Sequence, residues 1–157
     1  MDELMQKIMF VCVGNICRSP MAEGLLRDYF KKNNIEAVCT STGIGALSGS
    51  PAQEHSQEIM HENGIDISKH VAEQISNYSI MAADLILVME EGHKKIIMKM
   101  CPQARGRVFC LGKWRNIDID DPYKQDKSKF VECFNLISNC LEDWEAKLWK
   151  KSAKSPA

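Results

Sequence analysis

The stretch of sequence that decides the fold lies near the start of the chain: Ile8-Met9-Phe10-Val11-Cys12-Val13-Gly14-Asn15-Ile16-Cys17-Arg18-Ser19-Pro20. Its apolar first part predicts a short buried strand, Lys7–Val11. Ser19 followed by Pro20 is typical of a helix start, and we expect the first helix to run from Pro20 to about Asn33. A cysteine and an arginine with five residues between them stand in the turn that joins the two elements. Such a turn directs backbone N–H groups and the positive end of the helix toward an anion.

Cys12 and Arg18 carry the reactive groups of this turn. A cysteine at the base of an anion cradle is expected to ionise, because the dipoles that hold phosphate also stabilise a thiolate. Arg18 offers a planar, two-pronged donor that matches phosphate. We therefore interpret Cys12 as a nucleophile and Arg18 as its phosphate clamp, rather than as a buried strand-end thiol and a surface charge. Gly14 and Asn15 favour this interpretation, because both tolerate the backbone conformations that a tight loop needs.

Ser19 has two interpretations, which do not exclude each other. Its hydroxyl either caps the helix that Pro20 begins or donates a hydrogen bond to the Cys12 thiolate. Cys17 likewise either fills space in the loop or captures an oxidised Cys12 as a disulfide before irreversible over-oxidation. The residues by themselves leave both choices open.

The composition indicates one soluble domain. The chain has 157 residues, 45% hydrophobic and 26% charged, with a net charge of −1. No basic excess favours nucleic acid, no apolar stretch is long enough to cross a membrane, and Met1 to Leu4 do not resemble a signal peptide. We expect a cytoplasmic protein. The seven cysteines show no metal-ligand spacing, so neither a metal nor another cofactor is predicted.

Beyond the first helix, apolar runs and helical patterns alternate along the chain. We expect a strand at Ala37–Ser41, a Gly-rich turn at Gly43–Gly49, a helix from Pro51 to Asn63-Gly64, a helical turn at Ile75–Ala82, a strand at Asp84–Met89, a helix at Glu91–Met100 and a strand at Arg107–Leu111. This alternation predicts an α/β fold: a three-layer domain with a four-stranded parallel sheet flanked by helices. We place the domain at residues 1–150, followed by a basic, flexible tail at 151–157.

The last helix carries an apolar stripe at spacings of four and three residues: Phe130, Phe134, Ile137, Leu141, Trp144 and Leu148. Such a stripe is typical of a helix docked on its own domain, and a coiled coil is the alternative.

The polar segment before the last helix, Gly112 to Gln125, contains Asp120-Asp121-Pro122-Tyr123. An Asp-Pro pair is common in turns. A carboxylic acid on a loop facing the anion cradle would instead protonate a leaving oxygen and later activate water. Tyr123 would then stack on an aromatic substrate.

Together, the segments Val11–Pro20 and Asp121–Tyr123 closely resemble the low-molecular-weight protein tyrosine phosphatases. The likeness runs from about Lys7 to Leu148 and includes Ser41, the segment 70–75 and the segment 86–90. It implies a flavodoxin-like fold, with Cys12 as nucleophile, Arg18 as phosphate clamp and Asp121, rather than Asp120, as general acid. It also implies that phosphate and substrate contact Val13, Gly14, Asn15, Ile16, Cys17, Ser19, Leu47 and Tyr123, and that Asn15, Ser41 and His70 brace the loop.

Two further segments, Gly45–Leu47 and Leu111–Trp114, resemble the bacterial members that act with membrane tyrosine autokinases of polysaccharide export. Leu47 stands where animal members carry an aromatic pocket wall, and Lys124 where they carry a second tyrosine. The resemblance implies a phosphotyrosine protein, such as an autokinase, as partner, and a monomer or weak dimer. The alternatives are a thiol-coupled arsenate reductase, for which Cys133 and Cys140 are the available cysteine pair, a phosphocysteine phosphocarrier, and a phosphotyrosine-binding module without turnover.

Overall fold

A four-stranded parallel sheet forms the centre of the computed structural model, which describes residues 5–149. Its strands are β1 (Lys7–Cys12), β2 (Val38–Gly43), β3 (Leu85–Val88) and β4 (Val108–Cys110), in the order β2-β1-β3-β4. All three pairings are parallel. The predicted fold class is therefore confirmed, and the strand order is that of a flavodoxin-like sheet. Residues 1–4 and 150–157, which include the predicted tail, lie outside the described residues.

Within residues 5–149, five α-helices connect or follow the strands: α1 (Arg18–Lys32), α2 (Glu54–Glu62), α3 (Asn77–Ala82), α4 (Glu91–Met100) and α5 (Lys127–Leu148). The predicted start of α1 at Pro20 is wrong by two residues. Pro20 lies inside the first turn, where helix N–H groups lack intrahelical partners and a missing N–H costs nothing. The start of α2 is also later than predicted, at Glu54 instead of Pro51. Its end at Asn63-Gly64 is confirmed, with Gly64 at a φ of 78°.

Alternate residues of β1 and β3 supply the two faces of the sheet. Ile8, Phe10, Leu85 and Leu87 belong to the core that contains residues of α1, α2 and α5. Met9, Val11, Ile86 and Val88 belong to the second core, with residues of α3 and α4. The apolar stripe of α5 is docked on its own domain, as predicted, and Trp144 Nε1 donates to the Leu111 carbonyl at 2.9 Å.

The carboxyl ends of the parallel strands lie at one edge of the sheet. In this strand order the chain leaves β1 and β3 on opposite sides, so a crevice opens between their carboxyl ends. Cys12 ends β1, and Glu90 follows β3 by two residues. Gly43, at the end of β2, touches the loop after β1 so closely that a Cβ atom there would lie 2.4 Å from the Val13 carbonyl oxygen. No helix within residues 5–149 is both long and apolar enough to cross a membrane.

Candidate active site

The loop between β1 and α1 turns its carbonyl groups outward. The carbonyls of Cys12, Val13 and Gly14 accept hydrogen bonds from the N–H groups of Ile44, Gly45 and Leu47, at 2.9 to 3.1 Å. The Ile16 carbonyl accepts from Gln53 N at 2.8 Å. By contrast, the five N–H groups of residues 13–17 donate to no other described residue. Residues 15–17 are buried, and buried N–H groups are almost always paired, so these free donors at the start of α1 are suited to receive an anion.

Asn15 holds this loop in place. It is completely buried and has a φ of 59°, a left-handed conformation that asparagine tolerates better than most residues. Its Nδ2 group donates to Ser19 Oγ at 2.8 Å and to Ser41 Oγ at 3.0 Å. Its Oδ1 atom accepts from the N–H group of Glu73 at 2.8 Å. Every polar atom of the Asn15 side chain is therefore paired, which fixes the loop to β2 and to the segment after residue 70.

The direction of the hydrogen bonds can be followed from Asn15 to Cys12. An amide nitrogen only donates, so Ser19 Oγ accepts from Asn15. The hydroxyl hydrogen of Ser19 is then left for Cys12 Sγ, which lies 2.9 Å away. Ser19 is not the N-cap of α1: Cys17 occupies that position, and no side chain caps the helix. Of the two interpretations of Ser19, the geometry favours the hydroxyl donor.

Ser41, Glu23 and His70 form the outer part of this network. Ser41 accepts from Asn15 and donates to Glu23 Oε1 at 2.6 Å. His70 Nε2 lies 2.7 Å from the Asn15 carbonyl, and because a carbonyl only accepts, this nitrogen carries a hydrogen. The other imidazole nitrogen, Nδ1, lies 4.0 Å from Glu23 Oε1. The three residues implied by the resemblance, Asn15, Ser41 and His70, thus come together, and Glu23 is hydrogen-bonded to Ser41.

One part of the Arg18 guanidinium is held by hydrogen bonds, and the other part has no hydrogen-bond partner among the described residues. Nη1 donates to Glu90 Oε2 at 2.6 Å and to the Ile119 carbonyl at 2.7 Å, which uses both of its hydrogens. Nε is buried without a partner among the described residues, and Nη2 lies 3.6 Å from Asp121 Oδ2. Nε–H and Nη2–H share one edge of the guanidinium plane, so a two-pronged donor remains for two oxygens of a phosphate. Burial opposes the charge of Arg18, but Cys12, Glu90 and Asp121 outweigh it and raise the pKa of the guanidinium.

A cavity of about 140 Å³ opens above the loop. Cys12, Gly14 and Ile16 line it from the loop, together with the exposed residues Leu47, Asp121 and Tyr123. Asp121 is held loosely: its side chain is 40% exposed, and Oδ1 accepts only from the nearby N–H group of Tyr123, at 3.1 Å. The acid candidate therefore sits on an exposed segment that faces a buried loop.

The structure brings together every residue that was predicted for the site, whereas their chemical roles remain predictions. Sequence reasoning missed two carboxylates that contact the predicted set, Glu23 and Glu90. Glu90 could have been found from its place just after the buried strand β3, at the edge where Cys12 lies. Glu23 resembles an ordinary surface residue of an amphipathic helix. Of the cysteine pair considered for arsenate chemistry, Cys133 is buried, and burial raises its pKa to about 12.

A buried cysteine and a buried arginine therefore lie together on the turn after β1, at the carboxyl edge of a flavodoxin-like sheet. The chain belongs to the family described as low molecular weight phosphotyrosine protein phosphatase, whose profile matches residues 7–154. It is similar to the probable low molecular weight protein-tyrosine-phosphatase EpsP of Ralstonia nicotianae, with 42% identity over 90% of this chain and 94% of the relative.

Two solved structures extend the comparison. Vibrio vulnificus Wzb, solved in complex with benzylphosphonate, has a TM-score of 0.86 and 38% identity, over 92% of this chain and 99% of that one. The arginine phosphatase YwlE, solved as a mutant with a phosphorylated active-site serine, has a TM-score of 0.87 and 28% identity, over 94% and 98% of the two chains. The predicted enzyme class, a protein tyrosine phosphatase, is confirmed by the family and its named members.

Proposed function

We propose that this phosphatase hydrolyses phosphotyrosine through a phosphocysteine intermediate on Cys12. In the first step the Cys12 thiolate attacks phosphorus, the S–P bond forms and the bond from phosphorus to the tyrosine oxygen breaks. Asp121 gives its proton to that oxygen, so tyrosine leaves as a neutral phenol. In the second step Asp121, now ionised, takes a proton from water as the water oxygen attacks phosphorus. The S–P bond breaks, inorganic phosphate leaves, and the Cys12 thiolate is regenerated.

One observation carries this proposal: the loop that begins at Cys12 holds several donors without a partner among the described residues. The N–H groups of residues 13–17 and Nε of Arg18 are unpaired, and Ser19 Oγ lies 2.9 Å from Cys12 Sγ. The charge of a phosphoryl group in transfer spreads over its three equatorial oxygens, and prearranged donors stabilise that charge without reorganisation. The phosphorylated active-site serine of the YwlE mutant supports a covalent step of this kind, and the benzylphosphonate complex of Wzb supports an aryl-like ligand.

We also propose a cytoplasmic protein that acts on phosphotyrosine proteins such as a tyrosine autokinase of polysaccharide export, with residues 1–150 as its domain and 151–157 as a flexible tail. The support is the resemblance of segments 45–47 and 111–114 to such bacterial members, together with the similarity to EpsP and Wzb. A monomer or weak dimer suits an enzyme that must present its cavity to a protein substrate.

The first test is a substrate panel assayed with excess chelator. Phosphotyrosine peptide and p-nitrophenyl phosphate are expected to be hydrolysed, and a matched phosphoarginine peptide is expected to react far more slowly. Preference for phosphoarginine would contradict the proposed substrate, and loss of activity in chelator that magnesium restores would contradict a metal-independent reaction. Reduction of arsenate in the presence of a thiol, without phosphatase activity, would favour the arsenate reductase.

The second test addresses the proposed roles of Cys12 and Arg18. Cys12→Ser is expected to abolish turnover and still bind inorganic phosphate, because serine does not ionise at neutral pH and the donors remain. Arg18→Lys is expected to lose about 100-fold or more in kcat/KM, since a point charge does not replace a planar fork. In rapidly quenched wild type, mass spectrometry should find one phosphoryl group on the peptide that contains Cys12. Substantial turnover by Cys12→Ser would refute the proposal.

A further inference from the structure

A buried histidine, His93, lies behind the phosphate clamp. It occupies the first turn of α4 and is 6% exposed. Its Nε2 atom lies 3.9 Å from Glu90 Oε1, and its Nδ1 atom is buried without a hydrogen-bond partner among residues 5–149. The same Glu90 carboxylate anchors Arg18 through its other oxygen, at 2.6 Å. The Glu90 carboxylate therefore lies between the Arg18 guanidinium and the His93 imidazole, with one oxygen toward each.

We propose that His93 is a positioning residue for phosphate binding, which acts as a neutral imidazole through Glu90 on the orientation of Arg18. This proposal rests on the proposed role of Arg18 as the phosphate clamp. The Nε2–H tautomer is the one that fits, because an unprotonated Nε2 would turn its lone pair toward a carboxylate. A separation of 3.9 Å is too long for a hydrogen bond. We expect it to shorten when Arg18 takes up an anion, as contacts in active sites commonly do in the complex.

Three features around His93 favour the neutral imidazole. It is buried, the Arg18 cation lies close by, and its place at the start of α4 exposes it to the positive end of that helix. Burial and the Arg18 charge lower the pKa of His93, against the opposing effects of Glu90, Asp118 and Asp121. These are the charged groups that face it from α1, from the turn before α4 and from the loop before α5. At neutral pH His93 is therefore mostly uncharged.

A neutral imidazole and a protonated one have opposite consequences for the clamp. The neutral form leaves the full charge of Glu90 to Arg18 and holds the carboxylate in its rotamer. An imidazolium would compete with Arg18 for Glu90 and repel the guanidinium. Phosphate binding is then expected to weaken as the pH falls through the lowered pKa of His93. Because that pKa lies below the ordinary value of about 6.5, the weakening belongs to the acidic side.

The test uses two substitutions of His93 and one of Glu90 in the full chain. His93→Leu removes the polar edge, whereas His93→Gln keeps an amide donor near the position of Nε2. The probe is inorganic sulfate, which stays a dianion across the pH range examined, and its dissociation constant is measured by calorimetry. His93→Leu is expected to weaken sulfate binding roughly three- to tenfold, and His93→Gln by less than about twofold. Equal weakening by both variants would overturn the proposal.

A double-mutant cycle separates positioning from a loss of packing. In the Glu90→Gln background the carboxylate is gone, so adding His93→Leu is expected to have no further effect on sulfate binding. The same fold-change in both backgrounds would show that His93 merely supports the core. The pH profile gives a third measurement: wild type should lose sulfate affinity on the acidic side more steeply than His93→Gln. Parallel profiles would overturn the proposal, as would unchanged binding in His93→Leu.

Activity of the wild type on p-nitrophenyl phosphate distinguishes the two proposals. If wild type is inactive, the proposed reaction is wrong, whatever His93 does. If wild type is active and His93→Leu binds sulfate normally, only the role of His93 is wrong. Thermal unfolding of each variant establishes that the binding measurements refer to folded protein.

Discussion

The loop after β1 and the loop before α5 reach the same cavity but are built in opposite ways. In the first loop, Asn15, Arg18 and Ser19 are at most 1% exposed, and the side chain of Asn15 is paired at every polar atom. In the second loop, the Asp121 side chain is 40% exposed, and its one hydrogen bond is to a neighbour in sequence. A nucleophile and its anion donors need a fixed geometry, because misplacement by about 1 Å can cost roughly 100-fold in rate. An acid that later becomes a base needs access to water and freedom to turn.

Among the variants that compare the two loops, the largest effect is expected in the exposed loop. Asp121→Asn is expected to lower kcat for phosphotyrosine by about 10²- to 10⁴-fold, because a phenol with a pKa of about 10 leaves poorly as an anion. The loss with p-nitrophenyl phosphate should be much smaller, since nitrophenolate leaves without a proton. Steady-state kinetics with both substrates measure the ratio. Asp120→Asn is the matched control and should lack this dependence on the leaving group. If Asp120→Asn shows it and Asp121→Asn does not, the acid has been assigned to the wrong residue.

The buried loop is tested by two asparagines with almost the same backbone conformation. Asn15 has a φ of 59° and Asn116 a φ of 57°, but Asn15 is buried and Asn116 exposed. Asn15→Ala leaves buried partners unpaired, at about 1–3 kcal/mol each, in addition to the backbone strain of alanine in this conformation. We expect it to lower the free energy of unfolding by about 2–4 kcal/mol and kcat by at least about tenfold. Urea denaturation and kinetics measure both.

Asn116→Ala is expected to introduce only the backbone strain of alanine at a positive φ, without the loss of buried hydrogen bonds. It is expected to cost about 1 kcal/mol and to leave kcat unchanged. If Asn15→Ala were no worse than Asn116→Ala in either measurement, the hydrogen-bond network would contribute nothing beyond the turn itself.

The sequence predicts what is local and misses what is brought together by folding. The apolar runs of β1 and β3 and the helical pattern of α4 needed no tertiary information. The partners of Asn15 do: Ser41, His70 and Glu73 lie 26, 55 and 58 residues away along the chain. Of these, Ser41 and His70 are indicated only by family resemblance. Glu90 was missed because an adjacent pair of glutamates before a helix has the appearance of a solvated turn.

The predicted start of α1 is wrong for a related reason. The pair Ser19-Pro20 usually marks the cap and the first residue of a helix. In the structure the Ser19 hydroxyl is directed to Cys12, and the helix begins at Arg18 without a side-chain cap. A helix end that is reserved for an anion leaves its N–H groups uncapped, so the rule that normally locates the start does not apply.

A further prediction for the buried loop concerns the oxidation of Cys12 and its protection by Cys17. Burial, Asp121 and Cys12 all raise the pKa of the Cys17 thiol, so it does not compete with Cys12 as a nucleophile. Peroxide is expected to oxidise Cys12 to a sulfenic acid, after which Cys17 forms a disulfide with release of water. Wild type inactivated by peroxide should then recover with dithiothreitol, whereas Cys17→Ala should recover poorly. Cys133→Ala is the matched control and should recover like wild type. Equal recovery of all three would show that Cys17 gives no protection.

The smallest expected effect concerns a carboxyl group outside both loops. Glu145 on α5 is half-buried, and burial together with Glu142 raises its pKa to about 7. It lies near Tyr29, eleven residues along α1 from Arg18, or about 16 Å at the helical rise.

Since the pKa of Glu145 is raised in the folded state, the stability that the protonated group contributes is present below about pH 4.5 and is lost as the pH rises through about 7. Glu145→Gln, which stays neutral, should therefore stabilise the fold at pH 8 by up to about 1 kcal/mol, a value reduced for solvent screening, and by much less at pH 5. Thermal unfolding at the two pH values measures this difference, and Glu142→Gln, which removes only the neighbouring charge, should give a smaller gain in stability.

The kcat of Glu145→Gln is expected to be unchanged, because a strongly shifted pKa reflects burial and does not by itself identify an active site. Stabilisation of equal size at both pH values would mean that the gain comes from packing and that Glu145 does not titrate near pH 7.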